Sequence, residues 1–243
     1  MHDTLVVIPA RGGSRRIPRK PLALVCGRSL LWYTLDYVQS LGLAEASVVV
    51  TDDDDIAALA VQHGVDVVRE PTVTAEAENT IRAAYRAIQE AERRGRTIHR
   101  VVLLQPTQPV RPPDVVDRCL DGIGGEADAA LTVHAPCCPP ELMAEPNGEL
   151  LRFEDYRLRQ DCATRYRANG LCYAWSRAAF DAEPESITAF HRQRTYRAVV
   201  TEPFPYVDID EPHDLEHFEY LLRQGHTPWN VGVAQSLSEG ATA

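Results

Sequence analysis

Lysine is almost missing from this chain: Lys20 is the single lysine in 243 residues, and every other cation among the 25 basic side chains is arginine. Arginine is therefore the default cation, and the one position that keeps a flexible ammonium group invites a reason, of which gripping a phosphate is one. Net positive charge is missing as well. The 35 acidic residues leave a formal charge of -10, which repels a phosphate backbone and disfavours nucleic acid as a partner. No apolar run approaches the ~20 residues of a membrane-crossing helix. The first residues show neither a basic segment nor a long apolar one, so the expectation is a cytoplasmic protein without a membrane span or secretory leader. The six cysteines (Cys26, Cys119, Cys137, Cys138, Cys162, Cys172) make no C-x-x-C pair and keep no regular spacing, which argues against a disulfide framework and predicts reduced thiols. Adjacent Cys137 and Cys138 read as small loop or buried residues rather than a redox pair. Internal repeats are absent. So are the P-loop pattern G-x-x-x-x-G-K-[ST] and the dinucleotide fingerprint G-x-G-x-x-G.

What is present begins at Leu5-Val6-Val7-Ile8, a continuous apolar run of the kind a fully buried parallel strand shows. The loop that leaves it, from Ile8 to Pro21, packs five cationic side chains beside Gly12, Gly13 and Ser14. Backbone N–H groups around the glycines can form an anion-binding nest, and Arg11 and Lys20 can bracket a polyphosphate. A solvated charged connection is the plain alternative. Position after the first strand and the single lysine favour phosphate binding.

The strand-then-helix pattern repeats along the chain. Ser29 reads as the N-cap of a helix carrying Leu31, Leu35 and Val38, with Gly42 as its stop. Strands follow over 47–51, 65–69, 100–105 and 127–133, and helices over 56–63, 80–94 and 115–123. This alternation predicts a three-layer α/β fold, a mostly parallel, Rossmann-like sheet with helices on both faces and ligands at the strand C-termini. After Ala135 the texture changes to paired prolines, an Asn147-Gly148 hairpin signal and an arginine-rich segment, which predicts an inserted β-rich arm. Residues 170–175 read as a return to the sheet, 195–209 as a further strand region, and 214–223 as a closing helix with Pro212 near its first turn. The expected division is a core of 1–135 and 194–224, an arm of 136–193 and a mobile tail of 225–243.

Near the end of that strand region stand Asp208 and Asp210. Residues i and i+2 on a strand point to one face, roughly 7 Å apart at Cα, so both carboxylates can face a magnesium ion. The competing reading makes Asp210 the cap of the last helix. The run Asp52 to Asp55 suits a first helical turn, where acidic side chains complement the macrodipole, better than a metal. His213 and His217 share a helix face but have no identifiable third ligand. Arg157, Arg159, Arg165 and Arg167 alternate as a strand or hairpin face would, suiting a carboxylate-binding wall, a solvated arm or a subunit contact.

Taken in order, the opening block from Pro9 to Lys20 resembles the first motif of the acylneuraminate cytidylyltransferases, which make CMP-activated sialic acids and related nonulosonates. Thr51-Asp52-Asp53, Leu103 to Thr107, Arg111, Arg159-Gln160-Asp161, Arg167 to Gly170 and Asp208-Ile209-Asp210 resemble further blocks of that family, over residues 5 to about 222. The resemblance implies transfer of CMP from CTP to an acidic acceptor, release of pyrophosphate, a Mg2+ requirement and a homodimer whose arm completes the partner's acceptor site. Arg11, Lys20, Asp208 and Asp210 would be catalytic, the two aspartates holding the metal. Ala10, Gly12, Gly13, Ser14, Arg15, Asn79, Thr80 and Gln105 would bind the nucleotide, and Gln105, Arg159, Arg167, Asn169 and Tyr173 the acceptor. Three departures bear on the acceptor: Pro21, which is more like the related Kdo enzymes, Glu70 in place of a usual arginine, and an arm segment 139–142 without lysine. A nine-carbon 2-keto sugar acid is the acceptor the family implies, and a small phosphonate such as phosphonoformate is the alternative.

Overall fold

The computed structural model describes residues 3–14, 16–70, 80–136, 138–143, 145–147, 150–152, 157–201 and 206–227. In chain order the strands are β1 (Thr4–Pro9), β2 (Leu24–Val25), β3 (Arg28–Ser29), β4 (Ser47–Thr51), β5 (Asp66–Arg69), β6 (Arg100–Leu103), β7 (Ala129–His134), β8 (Glu145–Asn147), β9 (Leu150–Arg152), β10 (Arg167–Ser176) and β11 (Tyr196–Val200). The α-helices are α1 (Leu30–Ser40), α2 (Asp54–Gln62), α3 (Thr80–Arg93), α4 (Val115–Asp121), α5 (Ile187–Arg192) and α6 (Pro212–Arg223).

Seven strands form the main sheet in the order β11-β7-β10-β6-β1-β4-β5. β1 pairs parallel with β4 and β6, and β4 with β5, while β10 runs antiparallel between β6 and β7. The three-layer, mostly parallel sheet is therefore observed, and β10 is its reversed strand. β1 shows why it sits centrally: Leu5 and Val7 pack on one face with α3 and Phe190, whereas Val6 and Ile8 pack on the other with α1, α2 and α4. All four are fully buried, and period-two alternation sends successive side chains into two different cores. Ser29 caps α1 by accepting from Trp32 N at 3.3 Å, and Gly42 and Gly64 take positive φ beyond α1 and α2, as a chain leaving a helix requires.

Two sequence expectations change here. Of the strand foreseen over 195–209, Tyr196–Val200 is the part that pairs among the described residues, parallel to β7. Asp208 and Asp210 instead lie on an irregular segment before α6, so the strand argument for their shared face does not apply. Within 136–193, β8 and β9 form a separate hairpin, while β10 is central in the sheet and Trp175, Phe180 and Phe190 are core residues in edge-on or tilted contact, with ring centroids 5.0 to 5.8 Å apart. A third apolar cluster joins Ile17, Val25, Leu30, Tyr33, Val110, Val207, Ile209, Phe218 and Leu222. It anchors the cationic loop and the aspartate segment on one floor.

Candidate nucleotide-binding site

The sheet changes direction at β1. The chain goes from β1 to β4 on one side, then returns through α3 to β6 on the other, leaving a crevice beyond the carboxyl ends of β1 and β6. A cavity of about 660 Å³ lies there, lined by Arg11, Ser14, Lys20, Thr80, Gln105 and Asp210 among others. Gly13 lines it as well. Residues far apart in sequence thus converge on the place where the topology forecasts a ligand.

The aspartate segment is pinned through Ile209. Its N–H donates to Thr107 O at 2.8 Å, its carbonyl accepts from Lys20 Nζ at 2.7 Å, and its side chain is buried. Lys20 Nζ also reaches Asp210 Oδ1 at 3.0 Å, and Arg16 lies 3.5 Å from Asp210 Oδ2. Asp210 does not cap α6. That helix begins after Glu211, and Asp214 Oδ2 accepts from the N–H groups of Asp210 and Glu211 at 2.9 and 2.7 Å. The Asp210 carboxylate is left to the cations of the loop.

Asp208 sits behind, half-buried, accepting from Gln108 Nε2 at 2.6 Å and from Tyr206 Oη at 3.0 Å. Burial raises its pKa above the ordinary carboxylate value, with the charges of Asp210 and Asp214 adding to the rise and the Tyr206 hydrogen bond and Lys20 opposing it. A carboxylate destabilised in this way gains from a nearby cation. Asp210 lines the cavity with Asp208 behind it, and a set of this chemistry fits Mg2+, which commonly binds through one or two carboxylates plus substrate phosphates. Among the described residues no group of three or more His, Cys, Asp or Glu side chains is assembled as a metal site.

The loop differs from a bare anion nest. Gly12 N–H donates to Asp52 Oδ1 at 2.9 Å and Ser14 N–H to Gly12 O at 3.0 Å, so two of the three expected donors are engaged within the chain. A Cβ at position 12 would meet Asp53 Oδ2 at 2.8 Å and Asp53 Cβ at 3.2 Å, so a side chain there would push on the Asp53 carboxylate. Asp53 caps α2, accepting from the N–H groups of Asp55 and Ile56 at 2.9 and 3.1 Å, and pairs with Arg19. The 52–55 run is thus a helix start and loop anchor. Arg11 is held by Glu70 through two bonds of 2.8 Å. Ala10 is buried, its N–H on Val50 O at 2.9 Å, and positions the loop from below. Arg15 and Asn79 lie outside the described residues.

A second cavity of about 310 Å³ shares Thr80 and Gln105 with the first and is lined further by Leu103, Tyr173, Trp175, Ile187 and His191. Tyr173 thus lines this second cavity. Asn169 lines neither: it is buried, bonded to Thr201 Oγ1 at 2.9 Å and to Leu171 N at 3.3 Å, and it shapes β10. Arg159 and Arg167 are exposed and line neither of these two cavities. Arg165 pairs with Glu141 at 3.3 Å.

Several residues went unread as site residues in the sequence. Gln108 and Tyr206 hold Asp208, and Arg16 lines the first cavity. His191 Nδ1 and Tyr196 Oη share a hydrogen bond of 2.6 Å, and the same Oη accepts from Trp175 Nε1 at 2.9 Å. Desolvation and then Arg194 keep His191 below the usual histidine value. Arg111 is fully buried, donating to Leu171 O at 2.9 Å, Thr34 Oγ1 at 3.1 Å and Gln105 O. Burial brings its pKa down to about 10, and its bonds fix the turn that presents Gln105. Arg16 carried a usable signal in its place in the cationic loop, and Arg111 one in its match to a family block, though neither was assigned a site role.

Fold and site together define an α/β nucleotidyltransferase, with a polyphosphate-sized cavity at a topological switch point. A family model described as cytidylyltransferase matches residues 5–226, and the chain belongs to that family. Among its relatives, the CMP-N,N'-diacetyllegionaminic acid synthase of Legionella pneumophila is 27% identical over 90% of this chain and 95% of its own length. The 3-deoxy-manno-octulosonate cytidylyltransferase of Polynucleobacter necessarius is 29% identical over 90% and 96%. The solved structure of a CMP:2-keto-3-deoxy-manno-octonic acid synthetase complexed with CTP shares the fold, with a TM-score of 0.68 at 23% identity, covering 91% of this chain and 99% of that one.

Proposed function

We propose that this protein transfers CMP from CTP to an acidic sugar, a nonulosonic acid in the first place, and releases pyrophosphate. One observation carries the reading: Arg11, Ser14, Lys20, Thr80, Gln105 and Asp210 meet on one cavity that shares Thr80 and Gln105 with a second. The first suits a nucleoside triphosphate and the second, with Tyr173 and His191, an acceptor. An acceptor oxygen attacks the α-phosphorus of CTP in line, and the bond from that phosphorus to the departing pyrophosphate breaks. Lys20 and Arg11 stabilise the charge that gathers on the leaving group. Asp208 and Asp210 would hold Mg2+, which when bound supplies further positive charge for the triphosphate. Both named relatives act, by their names, on sugar acids, which supports a sugar over a phosphonate. The protein works as a homodimer in this reading, in the cytoplasm.

The test is pyrophosphate release with CTP and Mg2+ against a panel of sialic and legionaminic acids, Kdo and phosphonoformate. Turnover with a nonulosonic acid is the expected result. Turnover with phosphonoformate alone would remove the sugar reading, and CTP binding without turnover on any acceptor would leave only a nucleotide-binding module.

A further inference from the structure

Glu70 stands directly after β5, its N–H on Thr51 O at 2.9 Å. Its side chain is only 2% exposed, yet it lies against the rim of the nucleotide cavity. Arg11 donates to it from Nε and Nη2, both at 2.8 Å, and Arg86 of α3 donates from Nη1 at 2.9 Å. A carboxylate this deeply buried is tolerable only when it is paired and hydrogen-bonded, and three charge-assisted bonds meet that need. The geometry of the pair matters as much as its charge. A guanidinium engaged through Nε and one Nη is held coplanar with the carboxylate, so the fork fixes the far end of a long, otherwise mobile side chain.

Arg11 lines the larger cavity and its side chain is 27% exposed. Left unpaired, it would sample many rotamers and pay the ordering cost on meeting a ligand. Arg86 adds a second positive charge against the one carboxylate, so the three-residue cluster keeps a net positive charge at the cavity rim.

Resting on the reading of Arg11 as a triphosphate contact, we propose that Glu70 is a positioning residue that sets Arg11 in place before CTP arrives, with Arg86 as its second counter-charge. Its effect on CTP runs through Arg11. The test is a double-mutant cycle on CTP binding and turnover, measured as Kd by calorimetry and as KM and kcat. Glu70→Gln keeps size but loses the charge, and weakens CTP binding about tenfold, within the range for losing hydrogen bonds to a charged group, while kcat changes about twofold or less. In an Arg11→Ala background the same substitution changes CTP affinity about twofold or less. An equal effect in both backgrounds, or a fall in thermal stability with CTP affinity untouched, overturns the proposal and makes Glu70 a purely structural residue. If Arg11→Ala alone leaves CTP affinity unchanged, the triphosphate reading of Arg11 fails, a different outcome from Arg11→Ala weakening CTP while Glu70→Gln does not. Should Glu70→Gln not fold, Glu70→Asp keeps the charge and shortens the reach; weakened CTP binding at unchanged stability supports the proposal, and wild-type binding overturns it.

Discussion

At the scale of single residues, the chain spends its cations deliberately. Lys20 is 13% exposed at the side chain and its ammonium bridges a backbone carbonyl and a carboxylate at 2.7 and 3.0 Å. A compact ammonium can turn from these acceptors to a phosphate, whereas a planar guanidinium is larger and fixed in its donor directions. Lys20→Ala is expected to lower kcat/KM by about 10²–10³-fold, in the range for removing one preorganised donor to a developing charge. Lys20→Arg is expected to recover little of it. Near-wild-type turnover of Lys20→Ala in a steady-state assay would remove Lys20 from the chemistry. The sequence made this residue legible because rarity and position pointed the same way. Asp208 and Asp210 were legible as a pair but for the wrong local reason, since no strand ladder holds them. Their placement comes from Ile209 bonded on both sides, a long-range arrangement that local spacing does not encode. Gln108 was hidden for the same reason, bonding a partner a hundred residues away; Glu70 stood out in the sequence only as a departure, its partner Arg11 fifty-nine residues away going unread.

At the scale of elements, buried parallel strands were the easiest part to read, because both their faces are apolar and each is followed by a helix signal. Ser47–Thr51 and the start of α3 fall where periodicity puts them. β10 was harder. It begins three residues before the apolar run, carries a register shift between Ala168 and Tyr173, and reverses direction, none of which alternation reveals. Within that irregularity Gly170 has φ +75°, and a Cβ there would meet Gln108 at 3.1 Å and Gln105 Nε2 at 3.2 Å. The strand thus packs against the two glutamines that serve the two cavities and Asp208. Gly170→Ala is expected to cost about 1–2 kcal/mol of stability from the left-handed backbone. It should also lower kcat/KM, with the loss in rate outlasting any correction for unfolded protein. Thermal melts beside kinetics separate the two, and unaltered kinetics would show that the glutamines yield without consequence.

At the scale of the whole molecule, the switch point in the sheet followed from the order of strands and helices, and the site was legible there before any side chain was placed. In the stretch after Ala135 the sequence marked the return to the sheet at 170–175 but not its full extent. The part that returns to the core, β10 and α5, carries Tyr173 and His191 to the smaller cavity. The hairpin β8–β9 pairs only with itself within the main fold's topology. The proposed homodimer predicts twice the 27.0 kDa chain mass by light scattering at micromolar protein. A monomer under those conditions counts against it, and against any contribution of a partner to the acceptor site.

The pairing of the loop's cations has a consequence for how this molecule meets its ligand. Beside Arg11, whose fork to Glu70 stays in place when the ligand binds, Arg16, Arg19 and Lys20 are each already matched by a carboxylate of the same chain. An arriving triphosphate therefore displaces internal counter-ions more than ions from solution. Association becomes an exchange of one anion for another, and fewer salt ions are released than the number of cations implies. The affinity for CTP should then depend only shallowly on ionic strength. Calorimetric titrations at two salt concentrations read that slope directly, and a steep one would mean that the internal carboxylates stay where they are.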